Sequence, residues 1–401
     1  MYKIPITKPY IGEEENRAVQ TVLESGWLVQ GDKVKEFERK IAEHEQVKYC
    51  CATTSCTTAL QLAMLAEGMA ANMDVFIPSF TFVATANAVV STGATPIFVD
   101  VDKQTYNIDT IVLKSLIKEN YIWDGTRLIN MKTKNTVWGI IPVHQFGLCA
   151  DMQSLNEIAN KYKIKIIEDA ACALGSMIHG IHIGNFGNTA CISFHPRKSI
   201  TTGEGGMVLT NNSEVYQMII EMRNHGSMVT SAERHKGPGY LLPRYVTSGF
   251  NYRMTDIQGA IGCSQTEKLD FILEKHQEIA ACYDKLLAGK TSVIKTPYVP
   301  EGYYHTYQSY VCLLDFGNVG MGQQKRNTIM KHLDDIGIVT RQGTHAVHKL
   351  DYYRKQFGFK NTDFPIADKC DSLTISLPVF VTMTEKEQKL VSNQLLKLTA
   401  E

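Results

Sequence analysis

No sign of charge prevails in this chain: 41 Lys and Arg stand against 41 Asp and Glu, for a formal net charge of zero. Such a balance gives nucleic acid or an anionic membrane nothing to grip. The start, Met1-Tyr2-Lys3-Ile4-Pro5-Ile6, lacks the apolar core of a signal peptide. The long uncharged run from Val75 to Val99 is interrupted by Pro78, Asn87, Gly93 and Pro96. It therefore reads as strand, turn, helix and strand rather than as a membrane span. No Cys-x-x-Cys pair occurs among the ten cysteines, a pattern that points to reduced, mostly buried thiols and a cytoplasmic chain. Internal repeats and low-complexity segments are absent. Two phosphate-binding signatures are also missing. Gly289-Lys290-Thr291 has no glycine at the P-loop spacing before it, and Gly203-x-Gly205 precedes a strand where a dinucleotide fingerprint would open a helix.

What is present is a regular alternation over 401 residues, enough chain for a large domain and a smaller one. Helices are expected at Glu13–Ser25 (Ala18, Val19, Val22 and Leu23 on one face), around Val34, Phe37 and Ile41, and at 57–67, 82–92, 152–161 and 213–224. Asp109 caps a further one. Strands are expected at 49–52, 75–78, 96–99, 137–143, 165–167 and 207–210. This order implies an α/β fold: a large domain with a mainly parallel, mixed central sheet covered by helices on both faces, over residues 1–255. Gly226–Thr247 is polar and reads as a long loop. A long helix from about Asp256 into the 280s should lead into a smaller C-terminal α+β domain, over 256–401. In such sheets ligands lie beyond the carboxyl ends of the strands, which singles out 53–58, 79–82, 144–147 and 168–172.

The stretch Ser193-Phe194-His195-Pro196-Arg197-Lys198-Ser199-Ile200-Thr201-Thr202-Gly203-Glu204-Gly205-Gly206 sets one lysine in a glycine-rich loop. A lysine that attacks a carbonyl must be held still and kept partly neutral by burial, so Lys198 is a candidate Schiff-base lysine. Asp169, at a strand's carboxyl end, can pair with a protonated ring nitrogen. Thr54-Ser55-Cys56-Thr57-Thr58 opens a helix directly after a strand, where free N–H groups suit a phosphate. Phe82 lies just past a strand end and could stack on a flat ring. His345 and His348 have no third ligand nearby in the sequence, so no metal is assigned.

On these residues the chain resembles the DegT-type nucleotide-sugar aminotransferases, pyridoxal-phosphate enzymes of fold type I. The resemblance runs from Gly26-Trp27 through Glu168-Asp169-Ala170-Ala171 and Gly249-x-Asn251-Tyr252-Arg253-Met254 to Ile375-Ser376-Leu377-Pro378. It implies that Lys198 carries pyridoxal 5′-phosphate, with pyridoxamine 5′-phosphate as the intermediate form. Asp169 would hold the ring nitrogen and Phe82 stack on the ring, while Cys56, Thr57 and Ser193 grip the phosphate. Asn251 would reach the cofactor of a neighbouring subunit, in a homodimer with shared active sites. Two positions depart from the family's pattern: Cys56 stands where glycine is usual, and Cys172, beside the cofactor's 3′-oxygen, where glutamine or histidine is usual. The implied reaction moves an amino group from an amino acid, glutamate by resemblance, to a keto-sugar nucleotide of the 4-keto-6-deoxyhexose type. The segment 341–348 departs from that subgroup, which keeps a small phosphorylated ketone as a second acceptor class. Arg341, His345, His305, Tyr307 and the 226–247 loop are the expected acceptor contacts. A non-catalytic regulatory protein of this fold is the remaining reading; Lys198 and Asp169 both argue against it, as does the lack of a basic stretch.

Overall fold

The sheet grows from strands whose successive side chains supply two different cores. In Gly206–Thr210, Met207 and Leu209 join one cluster and Val208 the opposite one; in Thr189–Ser193, Ala190 and Ile192 oppose Cys191 in the same way. Period-2 alternation of apolar residues on both faces demands helices on both sides. The computed structural model describes residues 3–229 and 244–400, so most of the 226–247 loop lies outside the described residues.

Seven strands carry the main sheet: β1 (Tyr49–Thr53), β2 (Met73–Pro78), β3 (Thr95–Val99), β4 (Thr136–Ile140), β5 (Lys165–Asp169), β6 (Thr189–Ser193) and β7 (Gly206–Thr210). Their order is β1-β7-β6-β5-β4-β2-β3. The run from β6 to β3 is parallel, whereas β7 is antiparallel to both β1 and β6. The sheet is thus mixed and mainly parallel. A hairpin of Tyr121–Trp123 and Leu128–Asn130, not foreseen in the sequence, joins it at Thr136.

One face is covered by α3 (Cys56–Ala66), α4 (Val83–Ser91) and α7 (Ser213–Arg223). The other carries α2 (Asp32–Glu45) and α8 (Asp256–Glu267), with α5 (Thr110–Asn120) and α6 (Met152–Tyr162) further along. α2 and α8 approach so closely that a Cβ on Gly259 would sit 2.7 Å from the Val34 nitrogen, a contact only glycine permits. α1 (Glu13–Ser25) has its expected bounds, ended by Gly26 in the left-handed region. Of its expected apolar face, Val22 is buried but Leu23 is exposed.

The long helix expected from Asp256 is two helices: the chain bends at Lys268 between α8 and α9 (Leu269–Leu287). Lys268 there reaches back to Glu14 and Glu15 of α1. Beyond it an antiparallel sheet of β8 (Ile294–Lys295), β9 (Tyr310–Leu314) and β10 (Thr374–Leu377) packs on α9, α10 (Val319–Asp335) and α11 (Glu385–Ala400). Ile4 belongs to this second core, pairing with Ile338, so the first residues pack with the C-terminal part and not with the main sheet. Among the described residues no helix is long and apolar enough to cross a membrane. All ten cysteines are unpaired, and eight are buried.

Two histidines are buried as neutral groups. Burial pushes His276 down to about 4 and His305 down to about 3. Unfolded, both take up protons near the ordinary histidine value, so the unfolded chain binds more protons on acidification. Stability is therefore undiminished above pH ~6.5 and falls as the pH drops towards those folded-state values. Between pH 7 and pH 5 each histidine should cost about 2 kcal/mol. Urea titrations at the two pH values should show that loss, and a His276→Gln chain should lose about 2 kcal/mol less; an unchanged pH response in that chain would exclude this origin.

Candidate active site

The strands deliver their ends to one edge of the sheet, and the direction of β7 brings its first residue there too. Gly206 pairs with Thr53 of β1 on one side and Ser193 of β6 on the other. A Cβ on it would lie 2.3 Å from the Cys56 nitrogen, so glycine lets α3 begin directly over the strand ends. Ser55 caps α3, its Oγ accepting the Thr58 N–H at 3.2 Å. The N–H groups of Cys56 and Thr57 lie in the first turn, where no intrahelical acceptor exists and the helix dipole favours an anion.

Lys198 projects from the β6–β7 connection, its Nζ 3.1 Å from the Cys172 sulfur. Burial acts to lower its pKa, but Cys172 first, then Cys56 and Asp169, outweigh it and leave the amine raised. This corrects the sequence-based expectation of a partly neutral lysine: the contact with Cys172 and the nearby Asp169 carboxyl outweigh burial and favour the protonated amine, until a carbonyl ligand or a base takes its proton. The thiol of Cys56 is pushed up by burial, with Asp169 the next cause. Lys198, Asp169, Cys56 and Cys172 are thus close enough to act on one another electrostatically.

Asp169 ends β5 and is buried, with Oδ2 accepting from the Thr85 hydroxyl at 2.7 Å and Oδ1 from the Ala171 N–H at 3.1 Å. Burial raises its pKa, against the opposing pull of those hydrogen bonds and of Lys198. A buried carboxylate in this state is relieved by a cation placed against it. Thr85 went unmarked in the sequence; it lies one helical turn beyond Phe82 on α4, and that i, i+3 spacing was the available signal. Phe82 itself is 62% exposed, an aromatic ring held at the helix start. A buried His144–Glu168 pair at 2.9 Å, drawn from the strand ends singled out in the sequence, backs the Asp169 strand end, where the His144 backbone N–H donates to the Asp169 carbonyl.

The remaining expected residues separate into two groups. Arg341 lines a cleft with Arg197, Gln308, Ser309, Gly343 and Ser376. Burial lowers the Arg197 pKa, and the charge of Arg341 lowers it further, so two guanidinium groups face the same space. Arg197 was overlooked although it adjoins Lys198. His345 is exposed and pairs with Thr81, next to Phe82. Asn251 is exposed and its backbone bridges Asn224. His305 and Tyr307 are not brought to this edge as open side chains. Both are buried, with rings stacked at 4.0 Å and the His305 Nδ1 accepting the Tyr307 N–H.

The arrangement offers an amine, a buried acid, an exposed flat ring and a helix N-terminus around one space. A planar, phosphorylated, ring-nitrogen-bearing cofactor fits these donors: Phe82 presents an exposed ring, and Gly206 lets the first turn of α3 stand directly over the strand ends. Comparison with known proteins agrees. Residues 9–396 match the model of the DegT/DnrJ/EryC1/StrS aminotransferase family. The spore coat polysaccharide biosynthesis protein SpsC of Bacillus subtilis (strain 168) is 33% identical, over 96% of this chain and 94% of its own. GDP-perosamine synthase of Escherichia coli O157:H7 is 32% identical, over 96% of each chain. Among solved structures, Helicobacter pylori PseC, an aminotransferase involved in the biosynthesis of pseudoaminic acid, superposes with a TM-score of 0.87 at 25% identity, covering 99% of both chains.

Proposed function

The chain belongs to the DegT/DnrJ/EryC1/StrS aminotransferase family of pyridoxal-phosphate-dependent enzymes, and from that premise we propose that it aminates a keto-sugar carried on a nucleotide, drawing the amino group from glutamate. The observation that carries the acceptor half is the cleft where Arg197 and Arg341 face one another beside Lys198. Two guanidinium groups that raise each other's energy are reconciled by a dianion between them, and a diphosphate is such a group. Similarity to enzymes of GDP-perosamine and pseudoaminic acid biosynthesis supports the sugar.

Bound pyridoxal phosphate supplies an electron sink for the carbon that gains or loses the amine. The chain's own residues do the rest in this reading. Cys56, Thr57 and Ser193 present donors to the phosphate, and Phe82 covers one face of the ring. Asp169, positioned by Thr85, keeps the ring nitrogen protonated. Lys198 would hold the cofactor and, when its amine is free, would carry a proton to and from the reacting carbon. Cys172 stays within reach of the same amine. Asn251, exposed at the edge of the site, is offered to a second copy of the chain in a homodimer.

The test is a panel. The amino-loaded enzyme is offered 4-keto-6-deoxyhexose nucleotides and small phosphorylated ketones, and return of the visible absorbance names the acceptor class. No response to any nucleotide sugar would overturn the proposal, and response to a phosphorylated ketone would replace it. Arg341→Ala should raise the acceptor KM roughly tenfold or more, the scale of a lost charge-assisted hydrogen bond, while the half-reaction with glutamate is changed much less. Equal losses in both half-reactions would place Arg341 on the donor instead.

A further inference from the structure

Away from that edge, the end of α2 meets the small hairpin of 177–178 and 181–182 in a cluster that transamination does not use. Glu45 is fully buried. Its Oε1 lies 2.8 Å from His44 Nδ1 and accepts the Gly175 N–H at 2.9 Å. Its Oε2 faces His182 Nδ1 at 3.4 Å, and neither atom has a hydrogen-bond partner among the described residues. One ligand atom from each of His44, Glu45 and His182 falls within 4.8 Å of the other two. On its far side His44 Nε2 is 3.1 Å from Asp270 Oδ1, in the first turn of α9.

A neutral His44 satisfies one neighbour at a time: Nδ1–H donating to Glu45 Oε1 leaves Nε2 facing the exposed Asp270 carboxylate acceptor to acceptor, and the other tautomer does the same to Glu45. A positive charge, as extra protons on the histidines or as one metal ion, satisfies both contacts at once. The Oε2–Nδ1 separation favours the metal. Ligand bonds of about 2.0–2.1 Å in a tetrahedron put neighbouring donor atoms roughly 3.4 Å apart, whereas a good N–H···O bond is about 2.9 Å. Asp270 supplies the carboxylate that histidine ligands ordinarily bear on their second nitrogen.

We propose that His44, Glu45 and His182 form a site for a divalent ion of zinc's class, oriented by Asp270, with a fourth position open to water at the protein surface. Two imidazoles and one carboxylate select such an ion over magnesium, which prefers an all-oxygen octahedron. The ion would tie the end of α2 to the hairpin and, through Asp270, to the start of α9. This site is structural, and its existence is independent of the acceptor proposed above.

The experiment uses the untagged, cofactor-loaded chain after dialysis against a chelator, titrated calorimetrically with Zn²⁺ and separately with Mg²⁺. One zinc per chain should bind, raising Tm at saturation by mass action, and Mg²⁺ should neither bind nor compete. His182→Gln, at a partly exposed position that tolerates an amide, should weaken zinc tenfold or more. Asp270→Asn should weaken it by about 10–100-fold with stoichiometry unchanged. No uptake by the wild-type chain, or uptake undiminished in His182→Gln, overturns the site and leaves a protonated His–Glu–His cluster in its place.

Discussion

The Lys198→Ala chain is expected to purify without the yellow colour of the wild type and to lose at least about 10³-fold in transamination, within the span attributed to a positioned acid–base group. The loss joins two roles on one amine, since in the proposed reading Lys198 both holds the cofactor and moves the proton. Borohydride treatment separates anchoring from mere affinity: it should fix the cofactor's mass on the wild-type chain and add nothing to the variant. Lys198→Arg guards against a structural explanation. It keeps a cation beside Cys172, where the wild-type amine sits at 3.1 Å, so the local electrostatics survive and Tm should stay near that of the wild type. Its guanidinium stays protonated and offers no free amine to form the bond, and activity should remain as low as in the alanine variant. Retention of more than a few per cent of activity in either variant would remove Lys198 from the chemistry.

Much of this edge was readable because its demands are local. A lysine wrapped in Thr-Thr-Gly-Glu-Gly-Gly has few structural reasons to exist, and an aspartate closing a hydrophobic strand is conspicuous. Helix bounds such as Glu13–Ser25 follow from a glycine stop and apolar spacing. What stayed hidden depends on distance in sequence or on direction in space. Nothing in Gly206-Met207-Val208-Leu209-Thr210 says that this strand runs against its neighbours, yet that reversal puts Gly206 between Thr53 and Ser193. The bend at Lys268 has neither glycine nor proline to mark it. His305 and Tyr307 read as polar because hydroxyl and imidazole groups read so; their burial comes from stacking on one another and packing around β9, which no window of sequence contains. His44, Glu45 and His182 meet only because the hairpin folds back over the end of α2.

Asp169→Asn is the second large effect, and its signature is a divergence between stability and activity. The carboxylate is buried, and burial raises its pKa even though Thr85, Ala171 and Lys198 oppose that shift. Ionised, it is therefore a cost to the cofactor-free fold at neutral pH, and asparagine keeps its shape: its Oδ1 can accept the Ala171 N–H while its amide N–H donates to the Thr85 hydroxyl. The cofactor-free variant should accordingly be as stable as the wild type or more so. Activity should go the other way. Without the negative charge the ring nitrogen loses the group that keeps it protonated, and turnover should fall by about 10²–10³-fold, the scale of one lost preorganised electrostatic contact. The wild type should gain more in Tm from pyridoxal phosphate than the variant does, because only the wild type has a buried anion to neutralise. A variant that is less stable and loses activity in proportion would make Asp169 a structural residue. An equal gain from the cofactor in both chains would show that this carboxylate does not face its ring.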